Sequence, residues 1–173
     1  MKRSYNNGFT LIEVIIYIAL FSILIGAVMI SVYNIIESEN TDNSESELIE
    51  EGNFLLDKIK WAMNGVQTIS SPSSNASSTM LKVFNISSTT IPIIIQISGN
   101  NLTIQNGSGY ELGVPEILNN PDYHLYNTVF THVKQTGNGY ANEFIDVAFT
   151  LNTKNINGRT VSEKFSETIY LSK

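Results

Sequence analysis

The chain lacks cysteine altogether, and it contains only two histidines among its 173 residues. The absence of cysteine excludes disulfide bonds, thiolate metal sites and a cysteine nucleophile. Basic residues are also few, because ten Lys and Arg face sixteen Asp and Glu and leave a formal net charge of -6. Such an acidic chain is poorly suited to nonspecific nucleic-acid binding, so we expect no nucleic-acid partner. Any folded head must be stable through packing alone.

A long segment near the N-terminus lacks charge. No charged residue lies between Glu13 and Glu37, and Val14–Ile30 has the sequence VIIYIALFSILIGAVMI. About 20 apolar residues suffice to cross a bilayer, so the segment predicts one membrane-spanning helix. Lys2 and Arg3 precede it and the next charges after it are all acidic, which predicts a cytoplasmic N-terminus. A secretory signal peptide has a shorter apolar region, of about 7 to 15 residues.

Glu13 is the most informative residue of this segment. An ionised carboxylate within an apolar membrane helix costs about 2.5 to 3.5 kcal/mol on the insertion scale, so a compensating group is expected. Cleavage between Gly8 and Phe9 would create an α-amino group four residues before Glu13, close to a helix N-terminus that also favours a carboxylate. The same pairing between two chains could set the axial register of their helices.

The hexapeptide Gly8–Glu13 (GFTLIE), with its basic leader and long apolar continuation, closely resembles the class III signal of type IV prepilins and type II secretion pseudopilins. The resemblance implies that a membrane-embedded aspartyl prepilin peptidase cleaves after Gly8 and methylates the new N-terminal Phe9. It also implies that Glu13 pairs with the N-terminus of a neighbouring subunit during assembly.

The resemblance carries further expectations. It implies a structural subunit of a type IV pilus, type II secretion or DNA-uptake filament that contacts prepilin peptidase, other pilins or pseudopilins, an inner-membrane assembly platform and membrane lipid. The chain would be a single-pass cytoplasmic (inner) membrane protein with an extracytoplasmic head, and after processing it would be part of a filament. Major pilins commonly carry a proline in the membrane helix, whereas the first proline here is Pro72, which favours a minor subunit.

Beyond Ile36 the sequence predicts an α+β head. The polar stretch Ser38–Glu47 favours a linker or a break, because Ser, Asn, Thr and Asp compete for helix hydrogen bonds. Apolar residues at helical spacing then predict an amphipathic helix that begins at Leu48, and the turn-forming residues Asn64 and Gly65 end it before a flexible loop from Ser70 to Ser78. The predicted strands are Met80–Ile86, Ile91–Ile97, Asn101–Gln105, Thr128–Lys134, Glu143–Leu151 and Val161–Leu171, with a hairpin turn at residues 99–101.

A helix followed by antiparallel strands is the architecture of pilin-like folds, in which the second part of the stalk helix packs on the sheet. Within that family the head is similar to J-type minor pseudopilins. The predicted organisation has four parts: a cytoplasmic leader (1–8), a transmembrane and filament-core helix (9–36), an acidic connector with the amphipathic helix (37–70), and a β-rich globular head (71–173).

Catalytic or metal chemistry finds little support in the head. His124 and His132 could join Asp122 or Asp146 at a metal, but their spacing matches no known ligand pattern, and surface histidines are the favoured interpretation. Residues 118–123 (LNNPDY) offer side-chain oxygen atoms that could bind calcium, but they lack the spacing of acids and glycine found in an EF-hand calcium-binding loop. A proline-bounded turn explains this segment more simply. We therefore expect no cofactor, no metal and no enzymatic activity. The alternative function is an uncleaved, signal-anchored extracytoplasmic binding module.

Overall fold

The structure is a computed structural model that describes residues 10–85, 88–107, 111–137, 140–155 and 158–171. Over these residues the chain forms one helix and nine strands, all paired antiparallel, which confirms the predicted α+β class. Contacts divide it into two units, residues up to Thr41 and residues from Asp42 onward. The elements are α1 (Leu11–Met63), β1 (Val66–Ser71), β2 (Ala76–Ser78), β3 (Met80–Asn85), β4 (Ser88–Ser98), β5 (Asn101–Gln105), β6 (Glu116–Ile117), β7 (His124–Gly137), β8 (Tyr140–Lys154) and β9 (Thr160–Tyr170).

The predicted break at Ser38–Glu47 is wrong, because α1 is helical throughout this stretch. Serine, asparagine, threonine and aspartate lower intrinsic helix propensity by less than about 0.7 kcal/mol per residue. Such small costs do not end a helix that is already nucleated and continues on both sides. The helix ends after Met63, as the turn-forming residues Asn64 and Gly65 predict, and Gly65 adopts a left-handed conformation with φ of 68°. Glycine is the usual residue at this position after a helix. The next residue, Val66, begins β1.

The strands form two sheets with the orders β1-β3-β4-β5-β6 and β2-β7-β8-β9. All six strands expected from sequence are present, as β3, β4, β5, β7, β8 and β9. The predicted hairpin turn is also present, because Ser98 pairs with Asn101 and leaves Gly99 and Asn100 as a two-residue loop. Gly99 has φ of 64°, a value that glycine adopts without steric strain.

One core lies between the sheets and the part of α1 that follows Asp42. Residues 145, 147, 149 and 151 of β8 are all buried, as their alternation predicts, and they meet the apolar face of α1. The fully or almost fully buried core side chains include Leu48, Leu55, Ile59, Leu81, Val83, Ile95, Leu102, Phe130, Ile145, Val147 and Leu151. The predicted packing of an amphipathic helix on the sheet is therefore confirmed.

At Gly52, α1 lies directly against the ring of Phe165. A Cβ atom at this position would overlap the ring of Phe165 on β9, so only glycine fits beneath the ring as it stands. Phe165 in turn stacks on Phe149 of β8, with ring centroids 5.2 Å apart and planes 20° apart. A glycine inside a helix costs about 0.5 to 1 kcal/mol relative to alanine, and here the cost is offset by aromatic packing.

Three short strands were missed by sequence analysis: β1, β2 and β6. The segment Ser70–Ser78, expected to be a flexible loop, contains the end of β1 and all of β2, which pairs with β7 through Ala76 and His132. The turn between β1 and β2 is held to β7 by two hydrogen bonds. Asn75 N–H donates to the His132 carbonyl (2.8 Å), and Lys134 N–H donates to the Asn75 side chain (3.1 Å). These partners are distant in sequence, so local patterns cannot indicate them.

Candidate assembly site on the N-terminal helix

Of the three residues to which sequence analysis assigned a role, Glu13 lies within the described part of the chain, and Gly8 and Phe9 lie outside it. Glu13 belongs to the first turn of α1. Negative charge is favoured there by the partial positive charge of the helix N-terminus. The surroundings of Glu13 are therefore the part of the predicted site whose geometry can be described.

Thr10 caps the N-terminus of α1. Its carbonyl accepts hydrogen bonds from the N–H groups of Glu13 (3.1 Å) and Val14 (3.3 Å), and its hydroxyl accepts a longer one from Glu13 N–H (3.4 Å). Threonine followed three residues later by glutamate is the capping-box pattern, which satisfies backbone donors at a helix start. The hydrogen bonds between the two residues use the backbone N–H of Glu13, so they begin the helix without engaging its carboxylate.

Tyr17 contacts the Glu13 carboxylate directly. Its hydroxyl donates a hydrogen bond of 3.1 Å to Glu13 Oε1 across one helical turn. Between Leu11 and Ile36, Glu13 is the one side chain that is partly covered, and every other residue of that stretch is exposed within this chain. The carboxylate that sequence analysis expected to need a partner therefore has one on its own helix.

The rest of this segment is apolar and uncovered. Leu11 is 82% exposed and Ile23 71%, and α1 contains the one stretch among the described residues that is long and apolar enough to cross a membrane. At about 1.5 Å per residue, Leu11–Ile36 reaches roughly 39 Å, more than the bilayer core of about 30 Å. Ser22 and Ser31 donate their hydroxyls to backbone carbonyls one turn earlier, at 2.8 and 3.1 Å, so neither exposes an unsatisfied donor to lipid.

Among the clefts that the described residues of the head form, two differ in the character of their lining. One of about 430 Å³ has a mainly polar lining that includes Glu47, Tyr123 and Lys154. A second of about 400 Å³ lies between α1 and the β5–β6 edge, and its lining is mainly apolar, with Phe54 and Trp61 half-exposed. The described residues bring no three His, Cys, Asp or Glu side chains together at one point.

The prediction of surface histidines is correct for His124 and wrong for His132. His132 is 2% exposed, and its ring lies 3.0 Å from the Pro72 carbonyl through Nδ1 and 2.9 Å from Glu143 Oε1 through Nε2. The sequence leaves the buried face of β7 undecided, because apolar residues occur on both faces of the predicted strand, and the structure shows that Phe130 and His132 face the core. The two acceptors tie the β1–β2 turn and β8 to β7, which is a structural role.

Acidic residues of α1 hold the segment that sequence analysis described as a proline-bounded turn. Glu51 accepts a hydrogen bond from Asn120 N–H (2.8 Å), and Tyr123 donates its hydroxyl to Glu47 (3.4 Å). Burial raises the pKa of Tyr123, and the neighbouring Glu47 carboxylate raises it further, so the phenol stays protonated as a donor. Asn119 is buried and uses its amide within the protein, so it is not available as a metal ligand.

Comparison with known families identifies the N-terminal segment. Residues 3–29 match the family model described as the prokaryotic N-terminal methylation motif, which is the prepilin-type signal of type IV pilins and pseudopilins. The match covers the segment that contains Gly8, Phe9 and Glu13 and does not extend into the head. No match was found among curated proteins or among solved structures.

Proposed function

We propose, from the prepilin-type signal at residues 3–29, that this chain is a minor pilin or pseudopilin, a structural subunit of a type IV pilus, type II secretion or DNA-uptake filament. Prepilin peptidase cleaves it between Gly8 and Phe9 and methylates the Phe9 amine. The mature helix packs with those of other pilins or pseudopilins after delivery by an inner-membrane assembly platform. The subunit performs no catalysis and needs no cofactor.

The observation that carries the proposal is the coincidence of the signal with a helix whose apolar side chains are not buried by their own chain. Leu11–Ile36 presents apolar residues on every side, and the window that could span a membrane is 0% buried. Apolar surface on this scale marks a segment that contacts lipid or other proteins. Lipid covers it before assembly, and helices of neighbouring subunits cover it in the filament.

Glu13 gives this packing its register. Its carboxylate is the one charge between residues 4 and 36, and in the apolar interior of a helix bundle the most favourable partner is a fixed positive charge. The Phe9 amine of a neighbouring subunit provides that charge after cleavage. A wrong axial register leaves both charges unpaired in apolar surroundings, so the pairing selects one register.

The location follows from the same features. The membrane-capable helix is consistent with a single-pass protein of the inner membrane, and Lys2 and Arg3 favour a cytoplasmic leader. The head would then face away from the cytoplasm, where the absence of cysteine makes its folding independent of disulfide formation. The similarity to J-type minor pseudopilins stays a prediction, because the matched residues end before the head.

One observation favours a second function, that of an uncleaved, signal-anchored binding module. The Glu13 carboxylate already has Tyr17 as a donor on its own helix, so it is tolerable without a cleaved N-terminus. In that case the head clefts would be the functional part of the molecule. The methylation motif favours the filament subunit, because a binding module has no need of the peptidase sequence around Gly8.

The test is mass spectrometry of the N-terminus of the chain from membranes of cells with and without prepilin peptidase. We expect a mature N-terminus at Phe9, methylated, when the peptidase is present, and an intact leader when it is absent. An intact leader in both strains, or cleavage far beyond Phe9, would exclude the filament subunit and support the anchored module. A Gly8→Val variant, which removes the small residue at the cleavage site, is the control and should retain its leader in both strains.

A further inference from the structure

Before assembly, the Glu13 carboxylate lacks the positively charged partner that the proposed filament provides. The neighbouring amine is available only once two cleaved subunits have met, whereas the unassembled subunit must hold the carboxylate in the membrane. An unpaired carboxylate on a membrane helix is unfavourable, so the unassembled subunit needs a partner for Glu13. A donor on the same helix reduces this cost, because hydrogen bonds to charged groups are stronger than those between neutral groups.

Tyr17 occupies the position from which such a donor reaches Glu13. Side chains on a helix point toward its N-terminus, so a residue four places later lies over the earlier one. The residue three places after Glu13 is Ile16, which has no donor, and the residue four places after it is Tyr17. The observed distance from the Tyr17 hydroxyl to Glu13 Oε1 is 3.1 Å. The phenol also accounts for the partial covering of Glu13 within an otherwise uncovered segment.

We propose that Tyr17 is a positioning residue for Glu13: its hydroxyl holds the carboxylate in the unassembled subunit and presents the free oxygen to the N-terminal amine of the next subunit. This inference rests on the proposed function as a filament subunit. A carboxylate offers about four lone-pair sites on two oxygens, so one donor from Tyr17 leaves room for the amine. Tyr17 therefore acts with the incoming amine and does not compete with it.

Tyr33 provides a matched control on the same helix. Its spacing to a glutamate is again four residues, but Glu37 follows Tyr33 whereas Glu13 precedes Tyr17, and Tyr33 is 65% exposed against 54% for Tyr17. Glu37 lies on the C-terminal side of Tyr33. Because helical side chains tilt toward the N-terminus of the helix, the Tyr33 hydroxyl is directed away from that glutamate. Tyr33→Phe thus makes the same chemical change in the same apolar segment without removing the contact with Glu13.

The contact itself is tested by NMR of the full chain in lipid nanodiscs, with the ring carbon that bears the hydroxyl labelled in every tyrosine. The Tyr17 and Tyr33 signals are assigned by their loss in Tyr17→Phe and Tyr33→Phe. We expect Glu13→Leu to shift the Tyr17 signal and to leave the Tyr33 signal unchanged. An unchanged Tyr17 signal, or equal shifts of both signals, would overturn the proposal.

The consequence for assembly is measured as the ratio of subunit in sheared filaments to subunit in the membrane. We expect Tyr17→Phe to lower this ratio roughly threefold, because about 0.6 kcal/mol, the mean strength of a hydrogen bond between membrane-helix side chains, converts to that factor. Tyr33→Phe should leave the ratio unchanged. Equal ratios for Tyr17→Phe and wild type, or equal losses for both tyrosine variants, would overturn the role of Tyr17.

The two proposals fail in different ways. If the wild-type chain is neither cleaved at Phe9 nor found in filaments, the proposed function is wrong and the role of Tyr17 in assembly falls with it. If the wild-type chain is cleaved and assembled but Tyr17→Phe assembles equally well, the function stands and the inference about Tyr17 is wrong. Cleavage should be the same in wild type, Tyr17→Phe and Tyr33→Phe, because the substitutions lie outside the Gly8–Glu13 signal.

Discussion

The two parts of α1 use apolar side chains in opposite ways. Before Thr41 the apolar residues surround the helix and are exposed within the chain, whereas after Asp42 most of them are buried against the sheets and only Ile49, Phe54 and Trp61 stay half-exposed among the described residues. Leu11 is 82% exposed and Leu55 is 0% exposed. Burial of a leucine contributes about 1.5 to 3 kcal/mol, so the second part stabilises its own domain. The first part can gain this energy only from lipid or from other subunits.

The same contrast holds for the two glycines inside α1. A Cβ atom added at Gly26 would meet nothing within 4 Å, whereas one added at Gly52 would overlap the ring of Phe165. Gly52 is therefore explained by packing within the chain, and Gly26 is not. Small residues in membrane helices often allow a neighbouring helix to approach closely, which is the role that the proposed filament gives to Gly26.

The largest effect is expected for Glu13→Ala. Removing one partner of a buried charge pair costs about 3 to 5 kcal/mol, so incorporation into filaments should fall by at least about a hundredfold. Cleavage at Phe9 should continue, because the peptidase acts before assembly. The measurements are the amount of subunit in sheared filaments and the mass of the N-terminal peptide. Glu39→Ala, an exposed acid beyond the apolar segment, is the control, and an equal loss in it would contradict the assignment.

Asn119→Leu should give the largest loss of stability in the head. The Asn119 side chain accepts a hydrogen bond from Leu102 N–H (2.8 Å) and donates to the Tyr123 carbonyl (2.7 Å), and it is 3% exposed. Leaving buried partners unsatisfied should lower the free energy of unfolding by about 3 kcal/mol. Thermal unfolding of the full chain in nanodiscs measures the change. Asn53→Leu, on an exposed position of α1, should unfold as the wild type does.

Gly52→Ala should destabilise the head by about 2 kcal/mol, because Phe165 must move to accommodate the new methyl group and the gain in helix propensity only partly offsets this. Gly26→Ala is the matched control and should leave unfolding of the head unchanged. The same thermal unfolding experiment measures both variants. Equal effects of the two substitutions would contradict the difference drawn between the two parts of α1.

The smallest effect is expected for Glu167→Gln, which removes the ion pair between Lys60 and Glu167 (2.9 Å). The hydrogen bond and charge of Glu167 raise the pKa of Lys60 above its ordinary value of 10.5, although partial burial opposes them. The pair therefore stabilises the head below pH 10.5, and this contribution is lost as the pH rises through the raised pKa. Both side chains are partly exposed, so we expect at most about 1 kcal/mol at neutral pH.

Unfolding of wild type and Glu167→Gln should be compared at pH 7 and above pH 10.5. The two proteins should differ slightly at pH 7 and converge at the higher pH. A difference that grows with pH would have the wrong sign and would contradict the role of the pair. Asp57→Asn removes the weaker contact of Lys60, at 3.6 Å, and should change stability less than Glu167→Gln does.

The sequence by itself determined the N-terminal signal, the membrane-capable helix and six of the strands, which are β3, β4, β5, β7, β8 and β9. These features depend on local composition and on alternation along the chain, and Phe149 and Leu151 are buried where the alternation places them. The hairpin turn at Gly99 was also predictable, because its conformation is a property of glycine itself. The sequence likewise singled out Glu13, since a charge within a long apolar run is visible without any structure.

Only the tertiary structure decided the continuity of α1 through Ser38–Glu47, the short strands, the burial of His132 and the fit of Gly52 beneath Phe165. Each of these depends on a balance that local pattern does not contain. Helix propagation overrides weak propensities, and distant strands provide the pairing partners of β1 and β2. Packing against the core decides which face of β7 is buried, and there the Pro72 carbonyl and the Glu143 carboxylate contact the ring of His132.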